Sequence, residues 1–344
     1  MNLRLLLLPF TLIYATIMML RNKLYDWHLL RSVSFDKPTI CVGNITVGGT
    51  GKTPFIEHII SLLQPYRPSV VSRGYRRKTS GLVVANAQSV AADIGDEPCQ
   101  MHQKYPNMPL AVCEDRKVAI GHLFSHTNTK VVLMDDGFQH RSVRAGLYIL
   151  ITDYARPMWS DFTFPAGNMR EPWCGRHRAD LIVVNKCPSD LSLSEKQQIE
   201  RKLNVSVPVF FTTIEYGQWQ TLSGAEPAEP INKAIAVAGI GRPEPFFKEV
   251  QRRIADVELR TFADHYQFTT TDVQQLSDQC RAENRTIVTT EKDAMRLREF
   301  VDNLTIKTEN VVYLPIRLRV LFSEADMLNT KILNYVREFD RENK

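Results

Sequence analysis

The string Thr46-Val47-Gly48-Gly49-Thr50-Gly51-Lys52-Thr53 follows an apolar β-rich run, TICVGNI, and precedes Pro54 and the apolar helical pattern FIEHIISLL (55–63). Glycines at this spacing let the backbone turn tightly and aim N–H groups at phosphate oxygens, with the positive end of a helix behind them. Lys52 is placed to reach the β- and γ-phosphates and Thr53 to offer its hydroxyl to Mg²⁺. Pro54 is tolerated in a first helical turn, whose N–H groups have no intrahelical partner. Position 46, a glycine in the usual pattern, is threonine here. The chemistry predicted is ATP or GTP binding, with residues 46–53 forming the loop.

A phosphate loop that does chemistry needs an acid at the end of a neighbouring apolar strand to hold the metal or its water. VVLMDD (131–136) supplies two. Adjacent strand residues point to opposite sides, so Asp135 is expected to address Mg²⁺ while Asp136 bonds into a turn closed by Gly137. Transfer to a hydroxyl also needs a proton acceptor, and the candidates are Asp96, Glu97 and Asp136. Asp96 and Glu97 stand in IGDEP (94–98), where Gly95 and Pro98 are expected to hold them on a loop overhanging the phosphates. Glu97 is also a candidate metal ligand beside Thr53 and Asp135. His265, in FADHY (262–266), is an imidazole that closure of two domains would bring against a carboxylate, orienting it and sharing its proton.

A parallel sheet is needed to position these groups. Short apolar runs alternate with helical patterns from Thr39 onward: PSVVS, LAVC, VVLMDD, LYILIT, LIVVN and VPVFFTT. Continuous rather than alternating apolarity implies strands covered by helices on both faces. A second series, AIAVAGIG, VELRTF, RTIVTT and VVYLPI, begins near Lys233. The connection 216–230 holds Gly217, Gly224, Pro227 and Pro230 among polar residues, as expected between domains. The expected fold is a P-loop NTPase-like α/β/α sandwich with a mainly parallel sheet, a smaller second α/β domain and an N-terminal membrane-associated helix. Its expected boundaries are 1–31 for the helix, 32–215 for the nucleotide domain completed by 316–344, and 216–315 for the second domain, which closes over the active site.

The chain has 344 residues, too many for one small module, with 44% hydrophobic and 24% charged residues and a net charge of +5. That charge permits an anionic partner without choosing among nucleotide, phospholipid and nucleic acid. The six cysteines form no CxxC pair and read as core residues of a reduced, cytosolic compartment. Between Arg4 and Arg21 runs LLLLPFTLIYATIMML, about 24 Å as a helix, which is marginal for a hydrocarbon core of about 30 Å. No small-residue cleavage site follows, and RNKLYDWHLLR continues it with Leu20, Leu24 and Trp27 at helical spacing beside Arg21, Lys23 and Arg31. A helix lying in an anionic membrane interface is expected, with an apolar helix packed on the protein's own core as the alternative.

The ordered strings VGNITVGGTGKTP (42–54), SRGYRR (72–77), GDEP (95–98), DR (115–116), DDGFQHR (135–141), FPAGNMREP (164–172), RADLIVVNK (178–186), GIGRPEPFF (239–247), FADHYQF (262–268) and TTEKDAMRL (289–297) together resemble the tetraacyldisaccharide 4'-kinases, the lipid A 4'-kinases of Gram-negative bacteria. The resemblance implies transfer of the ATP γ-phosphoryl group, with Mg²⁺, to the 4'-hydroxyl of a tetraacylated glucosamine disaccharide 1-phosphate, giving lipid IVA. It implies a two-lobed enzyme at the cytoplasmic face of the inner membrane, held there by a monotopic N-terminal helix. It places the proposed base and its histidine on Asp96 and His265, with Lys52 and Asp136 as further catalytic candidates. Arg73, Arg77, Arg116, Asn168 and Arg170 are the candidate substrate contacts, Arg73 and Arg77 from the basic run that also includes Arg76 and Lys78. An acyl-chain substrate stays in the bilayer, since each buried CH₂ is worth about 0.8 kcal/mol. No nucleic-acid partner is expected.

Two other classes fit part of the sequence. A membrane-docked P-loop GTPase or ATPase switch would use the loop without an acceptor. A soluble small-molecule kinase would have no use for residues 1–20. NKCPSD (185–190) has the wrong spacing for a guanine-reading loop and reads as an adenine-edge loop or plain turn. GIG before Arg242 lacks the third glycine of a dinucleotide fingerprint and reads as structural.

Overall fold

The computed structural model describes residues 3–264, 266–301 and 310–342. The chain divides into two compact units, Met1–Ile214 with Leu318–Lys344, and Glu215–Arg317. The first contains α1 (Leu8–Asp26), β1 (Thr39–Gly43), α2 (Lys52–Leu63), β2 (Pro68–Ser72), β3 (Val83–Val84), α3 (Ala91–Ile94), α4 (Asp96–Lys104), β4 (Leu110–Val112), α5 (Arg116–His126), β5 (Val131–Asp135), β6 (Leu147–Asp153), β7 (Leu181–Asn185), α6 (Leu193–Leu203) and β8 (Val209–Tyr216). The second holds β9 (Gln220–Thr221), β10 (Lys233–Ala238), α7 (Glu244–Arg253), β11 (Asp256–Thr261), α8 (Thr270–Glu283), β12 (Thr286–Thr290), α9 (Glu291–Val301) and β13 (Val311–Leu314). The chain returns to the first through β14 (Ile316–Val320) and α10 (Ala325–Glu342).

The larger sheet has the order β14-β8-β7-β6-β1-β5-β2-β4-β3. β1 lies between β5 and β6, parallel to both, with Val42 opposite Asp135 and Ile149. The glycine loop and the Asp135-Asp136 pair therefore leave the same edge of the sheet, side by side. The apolar runs are buried on both faces, and β1 shows how. Ile40 and Val42 pack with Phe55, Ile56, Ile59 and Leu63 of α2, while Cys41 faces Ala119, Ile120 and Leu123 of α5. Each of the fully buried α2 side chains contributes about 1.5–3 kcal/mol of transfer free energy. α10 adds Leu328, Ile332 and Val336, four residues apart, to the α2 side of this core. Its Tyr335 hydroxyl hydrogen-bonds to both the N–H and the carbonyl of Thr39. The second unit is a smaller parallel sheet, β11-β10-β12-β13, with β9 antiparallel at its edge. Of the six cysteines, only Cys174 is exposed.

Two local expectations are corrected. Asp96 and Glu97 begin α4 rather than ride a loop. Gly95 (φ 91°) turns the chain between α3 and α4, and Pro98 falls in the first turn, where its missing N–H leaves no helical bond unmade. The N-terminal helix stops at Asp26, short of Arg31. Trp27 caps it through its N–H to the Lys23 carbonyl, and His28 is left-handed (φ 59°). The following segment is drawn onto residues 141–143, with Ser32 Oγ donating to the Arg141 carbonyl and Val33 N–H to Ser142.

α1 presents two unlike sides. Phe10, Leu12, Ile13, Ile17 and Leu20, and Leu6 in the turn before them, are all more than half exposed, which excludes an apolar helix packed on its own core. By length and composition, Arg4–Asp26 is also long and apolar enough to cross a bilayer. The other side rests on the protein through polar groups. Thr11 bonds to Thr163 and Ala166, Tyr14 donates to the Arg170 carbonyl (2.8 Å), and Arg21 donates to the Gln139 carbonyl. Asn22 donates to Glu171, and Arg141 donates to Asn22 O and Asp26.

Candidate active site

The loop between β1 and α2 takes positive φ only at Gly48 (92°) and Gly51 (81°). Thr46 needs no glycine because it is buried in an antiparallel bridge with Met169, and Val47 N–H donates to the Asn168 carbonyl. Thr50 is fixed from below, its hydroxyl accepting from Asn44 Nδ2 at 2.9 Å. Gly51 caps α2 without any side-chain hydrogen bond to the helix start, so the first-turn N–H groups of Lys52 and Thr53 face outward at a positive helix end. This is an anion-binding cradle, and Val47, Gly48 and Gly49 form its exposed rim.

Across from it stand the two carboxylates, with different environments. Asp136, left-handed at φ 52°, takes both terminal nitrogens of Arg170 at 2.7 and 2.8 Å and lies 3.5 Å from Lys52 Nζ. Burial works against ionisation there, but the Lys52 charge and the Arg170 hydrogen bonds hold the carboxyl well below the usual carboxylate range. Asp135 is buried and accepts from Ser72 Oγ through one oxygen (3.0 Å), while its Oδ1 has no hydrogen-bond partner. Burial, the Glu97 carboxylate and Asp136 push it up to about 7 against the pull of Lys52 and Ser72. A buried, unpartnered oxygen crowded by two other carboxylates is the environment a cation would relieve. The donor set fits Mg²⁺, which takes one or two carboxylates and completes its shell with water and phosphate oxygens. Among the described residues no three His, Cys, Asp or Glu side chains form a closed metal cage.

Beside Asp136 opens a cleft of about 240 Å³ lined by Arg73, Glu114, Arg116, Gln139, His140 and Arg170. Arg116 is buried, its guanidinium donating to the Cys113 and Glu114 carbonyls and its backbone N–H to His140 Nε2. Burial and Arg116 push His140 down to about 4, so its ring is neutral at pH 7 and accepts the Arg116 N–H at Nε2. Arg77 points elsewhere, donating to Glu114 and the Gly81 carbonyl, both at 2.6 Å, and does not line the cleft. Asn168 is tied to Asp161 and to Arg4 of the N-terminal segment. Asp96 and Glu97 are half-buried at the start of α4, and His265 lies outside the described residues.

The structure also assembles residues that spacing alone did not single out. Asn185, at the end of β7, donates through Nδ2 to the carbonyls of Thr50 and Gly51, each at 3.0 Å. A Cβ at position 51 would lie 2.3 Å from that nitrogen, a second reason for glycine there. Lys186 donates to the Gly49 carbonyl and to Asp153. NKCPSD is therefore neither a free turn nor remote from the loop. Its first two residues brace it. Gln139 joins the Asn44 carbonyl to Glu171, which in turn receives both terminal nitrogens of Arg178 and Nδ2 of Asn22. DDGFQHR, NMREP and RADL thus meet in one polar network under the site and against α1.

A family model described as tetraacyldisaccharide-1-P 4'-kinase matches residues 3–337. Proteins named tetraacyldisaccharide 4'-kinase from Bacteroides thetaiotaomicron and Flavobacterium johnsoniae are each 40% identical to this chain, covering 97% and 98% of it and 94% and 98% of their own lengths. The Porphyromonas gingivalis protein of that name is also 40% identical, over 95% of this chain and 96% of its own. Among solved structures, that of "apo" LpxK from Aquifex aeolicus in complex with ATP matches with a TM-score of 0.78 at 29% identity, covering 97% of this chain and 99% of that one. With a glycine loop, paired strand-end carboxylates and a whole-length match to these proteins, the chain belongs to the tetraacyldisaccharide 4'-kinase family.

Proposed function

We propose that this chain transfers the γ-phosphoryl group of ATP to the 4'-hydroxyl of a tetraacylated glucosamine disaccharide 1-phosphate, giving lipid IVA. The observation that carries the reading is the juxtaposition of an uncapped phosphate cradle, two strand-end carboxylates and an arginine-lined cleft. Residues 46–53 hold the phosphates, with Lys52 steered by Asp136 toward the bond that breaks. Thr53 and Asp135 would hold Mg²⁺, with Glu97 beside them, and the ion supplies charge neutralisation on the β- and γ-phosphate oxygens. A carboxylate pinned by Arg170 and Lys52 is a weak proton acceptor, so Asp136 serves as an anchor and Asp96 takes the hydroxyl proton. His265 is assigned the role of sharing that proton on the family resemblance alone. Arg73, Arg116 and Arg170 border the cleft where the anionic acceptor is proposed to bind.

The acceptor's acyl chains require the enzyme at the membrane, and α1 is proposed to lie in the cytoplasmic leaflet of the inner membrane, where ATP is present. Its polar seat runs from Thr11 to Asp26. Spanning the bilayer would drag Arg170, Glu171 and Gln139 into hydrocarbon, whereas lying flat buries the exposed leucines and keeps these groups wet. A guanine-nucleotide switch has less support, since Pro188 stands where a guanine-reading loop needs Asp.

The test is transfer of ³²P from γ-labelled ATP to the disaccharide 1-phosphate in detergent micelles. Label in the lipid, lost in Asp96→Asn, supports the reading. Free phosphate released without acceptor would favour the switch, and an active Asp96→Asn would return the base to Asp136.

A further inference from the structure

Arg156 enters the site from an element that the phosphate-binding pattern does not include. It follows β6, and its backbone N–H is bonded to the carboxylate and the carbonyl of Asp153 at the strand's end. The same Asp153 carboxylate, almost fully buried, receives the N–H of Ala155 and the ammonium of Lys186, which itself bonds to the Gly49 carbonyl. One buried acid thus fixes both the turn that carries Arg156 and the lysine that braces the loop. The guanidinium lies against Gly48, where a Cβ would be 3.6 Å from Nη2 and 3.8 Å from Nη1. Among the described residues no carboxylate or carbonyl takes these nitrogens. A forked, permanently charged and exposed donor, its backbone fixed by the turn, stands at the rim of an anion cradle with its hydrogen-bonding edge unspent.

The rim position indicates which phosphate it meets. The back of the loop, Gly51 to Thr53 at the helix start, serves the α- and β-phosphates, and Lys52 extends toward the β- and γ-phosphates. Gly48 lies upstream of that cradle on the exposed side, so a cation beside it faces the end of the phosphate chain. Resting on the kinase reading above, we infer that Arg156 is an arginine supplied in cis that contacts the terminal phosphoryl group of ATP and stabilises its charge during transfer. As the 4'-oxygen bonds to the γ-phosphorus and the bond to the β–γ bridging oxygen breaks, charge spreads over the three equatorial phosphoryl oxygens, at the end of the phosphate chain that this guanidinium faces. Asp153 is a positioning residue for it, acting through the turn.

The experiment uses the full chain and reads both turnover and binding for wild type, Arg156→Ala and Arg156→Lys. Arg156→Ala is expected to lower kcat by about 100-fold or more, as for loss of one preorganised donor to transition-state charge. Its Kd for ADP should stay within about twofold of wild type, while the extra affinity of ADP with aluminium fluoride, measured calorimetrically with Mg²⁺, is lost. Added methylguanidine should restore part of the Arg156→Ala rate, and Arg156→Lys should recover less than full activity because it lacks the fork. A kcat within about threefold of wild type, or equal weakening of ADP and ADP–aluminium fluoride, would overturn the inference, the second outcome indicating loop positioning instead. A wild-type chain that bound ADP and ATP but left the lipid unlabelled would sink the acceptor assignment and leave Arg156's binding readout to stand or fall by itself.

Discussion

Both units carry an apolar parallel strand that runs into glycines and then a helix, yet the two turns end in opposite ways. After β1, the loop from Gly48 to Thr53 reaches α2 with no side chain capping it, and its neighbours Asn185 and Lys186 bind its carbonyls, leaving the N–H side to a ligand. After β10, the N–H of Gly239 is taken by Asp293, which is fully buried, and Arg296 bridges Asp293 to the Gly239 carbonyl. Thr290 completes that knot. The second turn already contains its anion. The contrast teaches that of these two glycine turns only the first, to which the chain supplies no internal carboxylate, leaves its N–H groups for an anion. It also assigns a use to two strings of the second unit, GIGRP and TTEKD, which hold each other.

The sharpest way to break the comparison is to remove the charge each turn depends on. Lys52→Ala should lower kcat by about two to three orders of magnitude with little change in melting temperature, read by the ³²P assay and by scanning calorimetry. Asp293→Ala should do the reverse. It removes the buried carboxylate that joins Gly239, Thr290 and Arg296, at about 3–5 kcal/mol for a broken buried pair, or about 2–4 °C of Tm per kcal/mol, while ATP affinity holds. Loss of ATP binding with an unchanged Tm in that variant would dissolve the distinction.

Asp135 sharpens it further, because the first site holds an acid whose charge the protein alone does not balance. Its folded pKa, pushed up to about 7, lies above that of an unfolded aspartate, so its contribution to stability is full below the unfolded value and is lost as pH rises toward and through 7. Asp135→Asn keeps an acceptor for Ser72, and is expected to flatten the fall in Tm between pH 5 and 8 without Mg²⁺ while removing turnover. An unchanged pH slope would show that Asp135 is not the group responsible. The smallest effect is expected at Tyr14→Phe, which removes one hydrogen bond between α1 and the Arg170 carbonyl, about 1 kcal/mol. Its readout is a modest rise in KM for micellar acceptor at unchanged ATP affinity, and a wild-type KM would leave the α1 seat without a functional role.

How much of this was legible in the sequence follows from range. Runs such as VVLMD and LIVVN declare buried parallel strands because every residue before the strand-end Asp135 or Asn185 is apolar, and both strands are buried at each position. The glycine loop and Asp135 declare themselves because helix start and strand end are local features. Asp96 and Glu97 were misplaced because Pro98 reads as a breaker, although in a first turn it costs nothing. The α6 cap was readable in principle, since Ser192 and Glu195 form the S-x-x-E box seen at its start. Arg156, the grip of Asn185 on the loop carbonyls and the bonds of Gln139 were out of reach, because only sheet order brings β6, β7 and the Asp136 turn to one edge.

The most direct test of the account is the stoichiometry of ATP binding to the full chain by calorimetry, with Lys52→Ala and Arg242→Ala beside wild type. The account predicts one ATP per chain, bound far more weakly in Lys52→Ala and untouched by Arg242→Ala, since of the two glycine turns the one after β1 leaves its N–H groups to a ligand. Two ATP per chain, or binding that survives Lys52→Ala and falls with Arg242→Ala, would contradict it.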